Sequence, residues 1–191
     1  MIRGNIVFHG KIAKKSKATP NPEFYQENQT TTFRYHELNS VMGQSLTKNY
    51  LHIIFSTKHR QPLIDQSIEA ELQSYLGGIC NDLECFPVKI GNFVDHVHIL
   101  SLLSKKVLLM KLVEELKSHS SLWIKTKGDR YKNFYWQNGY GAFSISPSHI
   151  DMVKEYIEMQ HEHHKNETFQ EEYRRILIEN KIDFDERYVW D

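Results

Sequence analysis

The order of secondary-structure signals between residues 50 and 180 predicts an α+β protein. It is a ferredoxin-like, RRM-like βαββαβ antiparallel sheet with helices packed on it, followed by a tyrosine-bearing helix and a C-terminal tail. Three observations carry this prediction. Four short segments are rich in β-branched and aromatic residues. Between the first and second, and between the third and fourth, apolar residues recur at helical spacing. After the fourth comes Ser146-Pro147, a cap and first-turn pair that opens another helix.

The elements follow in order. YLHIIFST (50–57) reads as the first strand. Asp65 is placed to cap a helix with apolar positions Ile68, Leu72, Tyr75, Leu76 and Ile79. FPVKIGNF (86–93) and VDHVHILSLL (94–103) read as a hairpin turning through Gly91 and Asn92. Ser104 is placed to cap a second helix running to about Lys125, striped by Leu109, Leu112, Val113, Leu116 and Trp123. YGAFSIS (140–146) is the fourth strand, and a helix from Pro147 to Lys165 follows. A last helix, Phe169 to Asn180, and an extended end close the chain.

Residues 1–41 differ from the rest. They hold few periodic apolar positions and contain the polar stretches KKSKATPNP and QENQTTT. They read as an N-terminal extension, either a poorly structured arm or sequence upstream of a functional start at Met42, before a domain spanning 42–191. The 191 residues carry 24 basic and 24 acidic side chains, which excludes coating of nucleic acid by bulk charge. The balance is uneven along the chain. Eight basic residues face three acidic ones between Lys105 and Lys132, whereas eleven acidic face five basic ones from 155 to 191. Trp123, Tyr131, Phe134, Tyr135 and Trp136 interleave with the basic run, a composition suited to single-stranded nucleic acid as well as to a solvated face. Two cysteines, Cys80 and Cys85, exclude a disulfide framework or a four-cysteine zinc module and read as reduced core thiols. No signal-peptide pattern opens the chain and no run nears the ~18 apolar residues of a spanning helix, so a cytoplasmic protein without membrane contact is expected.

Two motifs carry chemistry. In Asp95-His96-Val97-His98, strand alternation puts both imidazoles on one face, half of a divalent-metal site or two polar residues on a solvated face. In HIDMVKEYIEMQHEHHK, Ile150, Val153 and Ile157 form an apolar stripe, while Tyr156 and Gln160, four apart, share a face beside it. Gln160 offers an amide oxygen to a hard cation. The following His161, His163 and His164 suit ligands, phosphate contacts or a solvated helix end.

Together, HIIFSTKHRQPLI, DHVHIL, SSLWIK, WQNGYGAFSIS, YIEMQHEHHK and the tail FQEEYRRILIENKIDFDERYVWD resemble the single-tyrosine HUH transposases of the insertion sequence 200/605 type, over roughly Leu46 to Asp191. Phe93-Val94 departs from the Met-Pro of many relatives. The resemblance implies a metal-dependent enzyme that cuts and rejoins single-stranded DNA through a 5′-phosphotyrosine link. It matches Tyr156 to the nucleophile, His96 and His98 to the metal-binding histidines and Gln160 to the third ligand, with Mg²⁺ or Mn²⁺ as the ion. It also implies DNA hairpins at element ends as partners, and a homodimer in which one subunit's tyrosine helix can complete the other's site.

Charge and position add Lys58, His59, Arg60, Lys117, Lys125, Lys127, Arg130 and Lys132 as DNA contacts. Other readings are a domesticated repeat-associated relative with the same chemistry, and a catalytically silent nucleic-acid-binding module. A zinc hydrolase would need another ligand. Asp95 lies on the wrong face of its strand for that role, and His119 and His149 remain as sources.

Overall fold

The computed structural model describes residues 45–190. The extension expected over 1–41 and the start at Met42 lie outside the described residues. The elements are β1 (Asn49–Ser56), α1 (Glu69–Asp82), β2 (Phe86–Asn92), β3 (His96–Leu103), α2 (Leu109–Lys125), β4 (Gly141–Ile145), α3 (Ile150–Glu158), the single turn α4 (Gln160–His163) and α5 (Phe169–Glu179). The sheet order is β2-β3-β1-β4, with every neighbouring pair antiparallel, as the βαββαβ order requires. Among the described residues no helix is long and apolar enough to cross a membrane.

Alternation along the two central strands divides the molecule into layers. Ile53, Phe55, Val97 and Ile99 point to one side, where α1 and α2 bury Leu72, Leu76, Leu112 and Leu116 against them. The opposite residues of the same strands point to a second layer. There Leu100 meets Val153 and Ile157 of α3, and Ile54 meets Phe169, Tyr173 and Ile176 of α5. Both faces are therefore covered, which is why β1 and β3 read as nearly continuous apolar runs. Two polar residues of β3, His96 and His98, are buried within that second layer.

Local chemistry sets the element ends, and it differs from the expected punctuation in four places. Gly91 and Asn92 are paired residues of β2, opposite His98 and Val97, and the chain turns instead through Phe93–Asp95. Gly91 is small because α3 crosses it: an added Cβ would lie 2.6 Å from the carbonyl oxygen of Ile157. Ser104 accepts from the Lys106 N–H at 3.2 Å and so closes a turn, and α2 begins only at Leu109. Asp65 organises the turn before α1, accepting from the Ser67 N–H at 2.9 Å, while Ile68 occupies the capping position. The long helix expected from Pro147 to Lys165 is a 3₁₀ turn over Pro147–His149 followed by α3, and it breaks at Met159 (φ −90°, ψ 15°) before α4.

Thr168 starts α5 with a reciprocal capping box: its hydroxyl accepts from the Glu171 N–H while Glu171 accepts from the Thr168 N–H. Both cysteines are free and buried, and burial pushes the Cys80 thiol up to about 12.

Candidate active site

The site is assembled where α3, α4 and α5 lie over the second face of the sheet. His98 on β3 stands opposite Ile54, and His96 opposite Ser56, so both rings rise from the sheet centre. Each has its Nδ1 fixed from behind. His96 Nδ1 is 2.7 Å from a carboxylate oxygen of Asp95, which can only accept, so Nδ1 donates and Nε2 is the nitrogen that faces the cluster. His98 Nδ1 lies 2.9 Å from Nε2 of His52. Burial, then the neighbouring His98, lowers the pKa of His52 to about 3 against a smaller pull from Glu172, so His52 is neutral.

The break at Met159 turns Gln160 inward, and its side chain is buried. Its Oε1 is 3.2 Å from His96 Nε2, and its Nε2 donates to Glu172 at 3.0 Å. His164, one turn on, brings its Nε2 to 3.0 Å from His96 Nε2 and 3.1 Å from Gln160 Oε1. Phe93 stacks on His164 with ring centroids 4.6 Å apart, so the departure noted before Asp95 serves as a wall of the site.

Tyr156 reaches the same place from α3. Its ring lies edge-on to His98 at 6.0 Å, within one chain. Its hydroxyl donates to Glu172 and accepts from the Arg175 guanidinium at 3.2 Å. Burial and the Glu172 carboxylate push the tyrosine pKa well above its usual value, against Arg175, so the resting phenol is neutral. A cleft of about 330 Å³, lined by His52, Phe143, Tyr156 and Arg175 among others, opens beside the phenol.

Glu172 is the hub, and sequence reasoning missed it. It is fully buried. Its second carboxylate oxygen is 3.5 Å from His96 Nε2, 3.5 Å from His98 Nε2 and 3.2 Å from His164 Nε2. Burial pushes this carboxyl up, but His98 and His164 outweigh it and hold it far below the ordinary range. In turn, burial draws His164 down and Glu172 more than restores it, while burial outweighs Glu172 at His98 and keeps that ring neutral. His96, His164 and Glu172 offer ligand atoms that all lie within 4.8 Å of one another. The donor set fits a divalent cation. Among the described residues, His98 Nε2 and the second oxygen of Glu172 are buried without a well-aligned hydrogen bond, and His96 Nε2 faces the Gln160 amide oxygen at 3.2 Å. A cation between these atoms removes each conflict.

The family profile described as "Transposase IS200 like" matches residues 45–160, which contain both histidines, Tyr156 and Gln160. The chain belongs to the IS200-like transposase family. Among solved structures, this IS200-like chain is similar to a Deinococcus radiodurans protein assigned as a transposase, at 22% identity and a TM-score of 0.50, over 62% of this chain and 96% of that one. It is also similar to a REP-associated tyrosine transposase bound to a REP hairpin, at 14% identity and a TM-score of 0.49, over 65% and 74%. No curated protein matches the chain.

The basic residues expected to meet DNA divide into three groups. Lys58 and His59 are exposed and line a cleft of about 300 Å³ with Trp190, and Arg60 stacks its guanidinium 5.6 Å from the Trp190 ring. Lys125 stands 3.8 Å over the Tyr135 ring, Lys127 pairs with Glu71, Arg130 with Asp65 and Lys132 with Asp129. These residues neighbour the first group, since the Lys58 N–H donates to the Tyr135 carbonyl. Lys117 is different. Its ammonium donates to the carbonyls of Gln137, Asn138 and Gly139 at 3.0, 3.1 and 2.6 Å, which uses all three of its protons and ties α2 to that loop. Of the alternative hydrolase ligands, His119 is exposed and pairs with Glu115, and His149 bonds Ser146. Neither joins the cluster.

Proposed function

We propose that this IS200-like transposase cleaves and rejoins single-stranded DNA at hairpin-bearing element ends, with Tyr156 as nucleophile and His96, His98 and Gln160 as ligands of Mg²⁺ or Mn²⁺. One observation carries the reading: the Tyr156 hydroxyl and the two histidines converge on a single buried carboxylate, Glu172. A bound cation would polarise the scissile phosphate and orient the in-line displacement.

The side chains supply the rest. The Tyr156 oxygen attacks phosphorus and a phenol–phosphorus bond forms. The bond to the 3′ oxygen breaks and leaves a free 3′-hydroxyl. The phosphotyrosine keeps the phosphodiester energy, so attack by another 3′-hydroxyl reseals a strand and returns the phenol. Glu172 faces the phenol proton, and Arg175 faces the charge that the phenolate carries when it departs. The working unit is residues 42–191, acting in the cytoplasm as a homodimer. The exposed cations near Lys58 and Lys125 hold the DNA backbone. Tyr156 stands beside the histidines of its own chain, and in the homodimer the tyrosine helix of one subunit can complete the site of the other.

The test is a labelled hairpin oligonucleotide carrying the element end, incubated with purified protein and resolved under denaturing conditions. A covalent adduct that requires Mg²⁺ or Mn²⁺ is expected, and Tyr156→Phe should form none. An adduct with the phenylalanine variant would remove Tyr156 from the mechanism. His96→Ala should keep hairpin binding and lose cleavage.

A further inference from the structure

We propose that Glu172, on the helix of the acidic tail, is itself a ligand of the divalent cation, so that the tail builds part of the metal centre. The inference rests on the metal-dependent reading above and adds a carboxylate to its ligand set.

Four observations carry it. Glu172 is fully buried, and its two oxygens have separate environments. Oε1 is saturated, accepting from Tyr156 and from Gln160 at 3.0 Å. Among the described residues Oε2 makes no well-aligned hydrogen bond, although it faces the Nε2 atoms of His96, His98 and His164 at 3.2–3.5 Å. His98 Nε2 is equally without one. A buried carboxylate oxygen and a buried imidazole nitrogen, neither in a well-aligned hydrogen bond and both facing the same point as His96 Nε2, form a set of ligand atoms that a divalent cation would satisfy.

The sequence pattern fits. On α5, Phe169, Tyr173 and Ile176 form the apolar stripe buried against Ile54, and Glu172 falls on that same stripe. A carboxylate there is costly unless it meets positive charge. The Thr168–Glu171 capping box sets where the helix begins and so the angle at which Glu172 enters.

Two consequences follow. A set of imidazoles plus one carboxylate favours Mn²⁺ over Mg²⁺. Metal loading also becomes coupled to docking of α5, since one ligand comes from it.

The experiment is Mn²⁺ titration of the full chain, followed by electron paramagnetic resonance, on wild type, Glu172→Gln and His96→Ala. Glu172→Gln keeps the shape and an amide oxygen for Tyr156 but loses the anion. It should raise the Mn²⁺ dissociation constant at least tenfold, and Mn²⁺ should slow amide exchange across 169–179 in wild type only. Wild-type affinity in Glu172→Gln, with loss in His96→Ala, would overturn the tail ligand and leave the metal site standing. Wild-type affinity in both variants would overturn the metal reading as well. Should Glu172→Gln not fold, wild-type protein carrying [δ-¹³C]glutamate decides. A ¹³C hyperfine coupling to bound Mn²⁺ is expected, and its absence overturns the proposal.

Discussion

His98 Nδ1 and His52 Nε2 lie 2.9 Å apart across β1 and β3, two buried rings with one proton between them. His98 can present a lone pair from Nε2 only if that proton sits on its own Nδ1, so His52 must be the acceptor. Asp95 does the same for His96 at 2.7 Å. Each of the two histidines thus has a partner that can select its tautomer, the arrangement found behind metal-ligating histidines generally.

Replacing His52 by Phe removes this acceptor and leaves a buried N–H unpaired. Metal affinity should fall about 10- to 100-fold. His52→Gln keeps an amide oxygen near the same position and should recover part of the loss. Isothermal titration with Mn²⁺ reads both. Equal affinities for wild type and His52→Phe would show that the tautomer is fixed some other way.

How far the sequence foretold this site depends on the range of the signal. Strand alternation puts His96 and His98 on one face, so these were legible locally, whereas Tyr156 and Gln160 meet at Glu172 across a helix break. The break at Met159 was not legible, because no proline or glycine marks it. Glu172 was hidden among the eleven acidic residues of 155–191. Its signal was present as a carboxylate set among Phe169, Tyr173, Ile176 and Leu177, all buried. The role of Lys117 had no local signature at all, because its acceptors lie about twenty residues further along the chain. Gly91 shows the converse error: read as a turn, it is a crossing point whose reason lies on α3.

That crossing gives a stability prediction. In Gly91→Ala the new methyl would sit 2.6 Å from the Ile157 carbonyl, so α3 must move. The cost should be about 1–3 kcal/mol in urea unfolding, and cleavage should fall further, because Tyr156 rides on the displaced helix. Gly78→Ala is the control. It lies within α1, an added Cβ meets nothing within 4 Å, and it should stabilise by about 0.5–1 kcal/mol.

Acid sensitivity has a source away from the histidine cluster. Hydrogen bonds from Ser67 and Tyr131, with Arg130 nearby, lower the Asp65 pKa from 3.8 to about 2. Its folded pKa lies below the unfolded one, so its contribution is full above pH ~4 and is lost as pH falls toward 2. Asp65→Asn should be less stable than wild type at pH 7, and the gap should close between pH 4 and 2. Chemical denaturation at several pH values measures it, and a gap independent of pH would contradict the assignment.

Lys117 and the other cations of the basic run should differ in what their replacement costs. Lys117 has its ammonium on three carbonyls and its pKa lowered by burial to about 8, so Lys117→Gln should cost about 1–3 kcal/mol of folding stability. With its three protons on carbonyls Lys117 should make no phosphate contact, so the slope of log affinity for single-stranded DNA against log salt should stay as in wild type. Lys125 stands over the exposed ring of Tyr135, and among the described residues Lys132 pairs only with Asp129 one turn earlier. Either of these replaced by Gln should leave stability within about 0.5 kcal/mol. Each should weaken binding at low salt and reduce the slope by about 0.7, the value for one phosphate on a single strand. Fluorescence anisotropy from 50 to 300 mM salt compares the three variants directly. A reduced slope for Lys117→Gln would mean that DNA draws this lysine off its carbonyls, and the loop over Gln137–Gly139 would then have to move on binding.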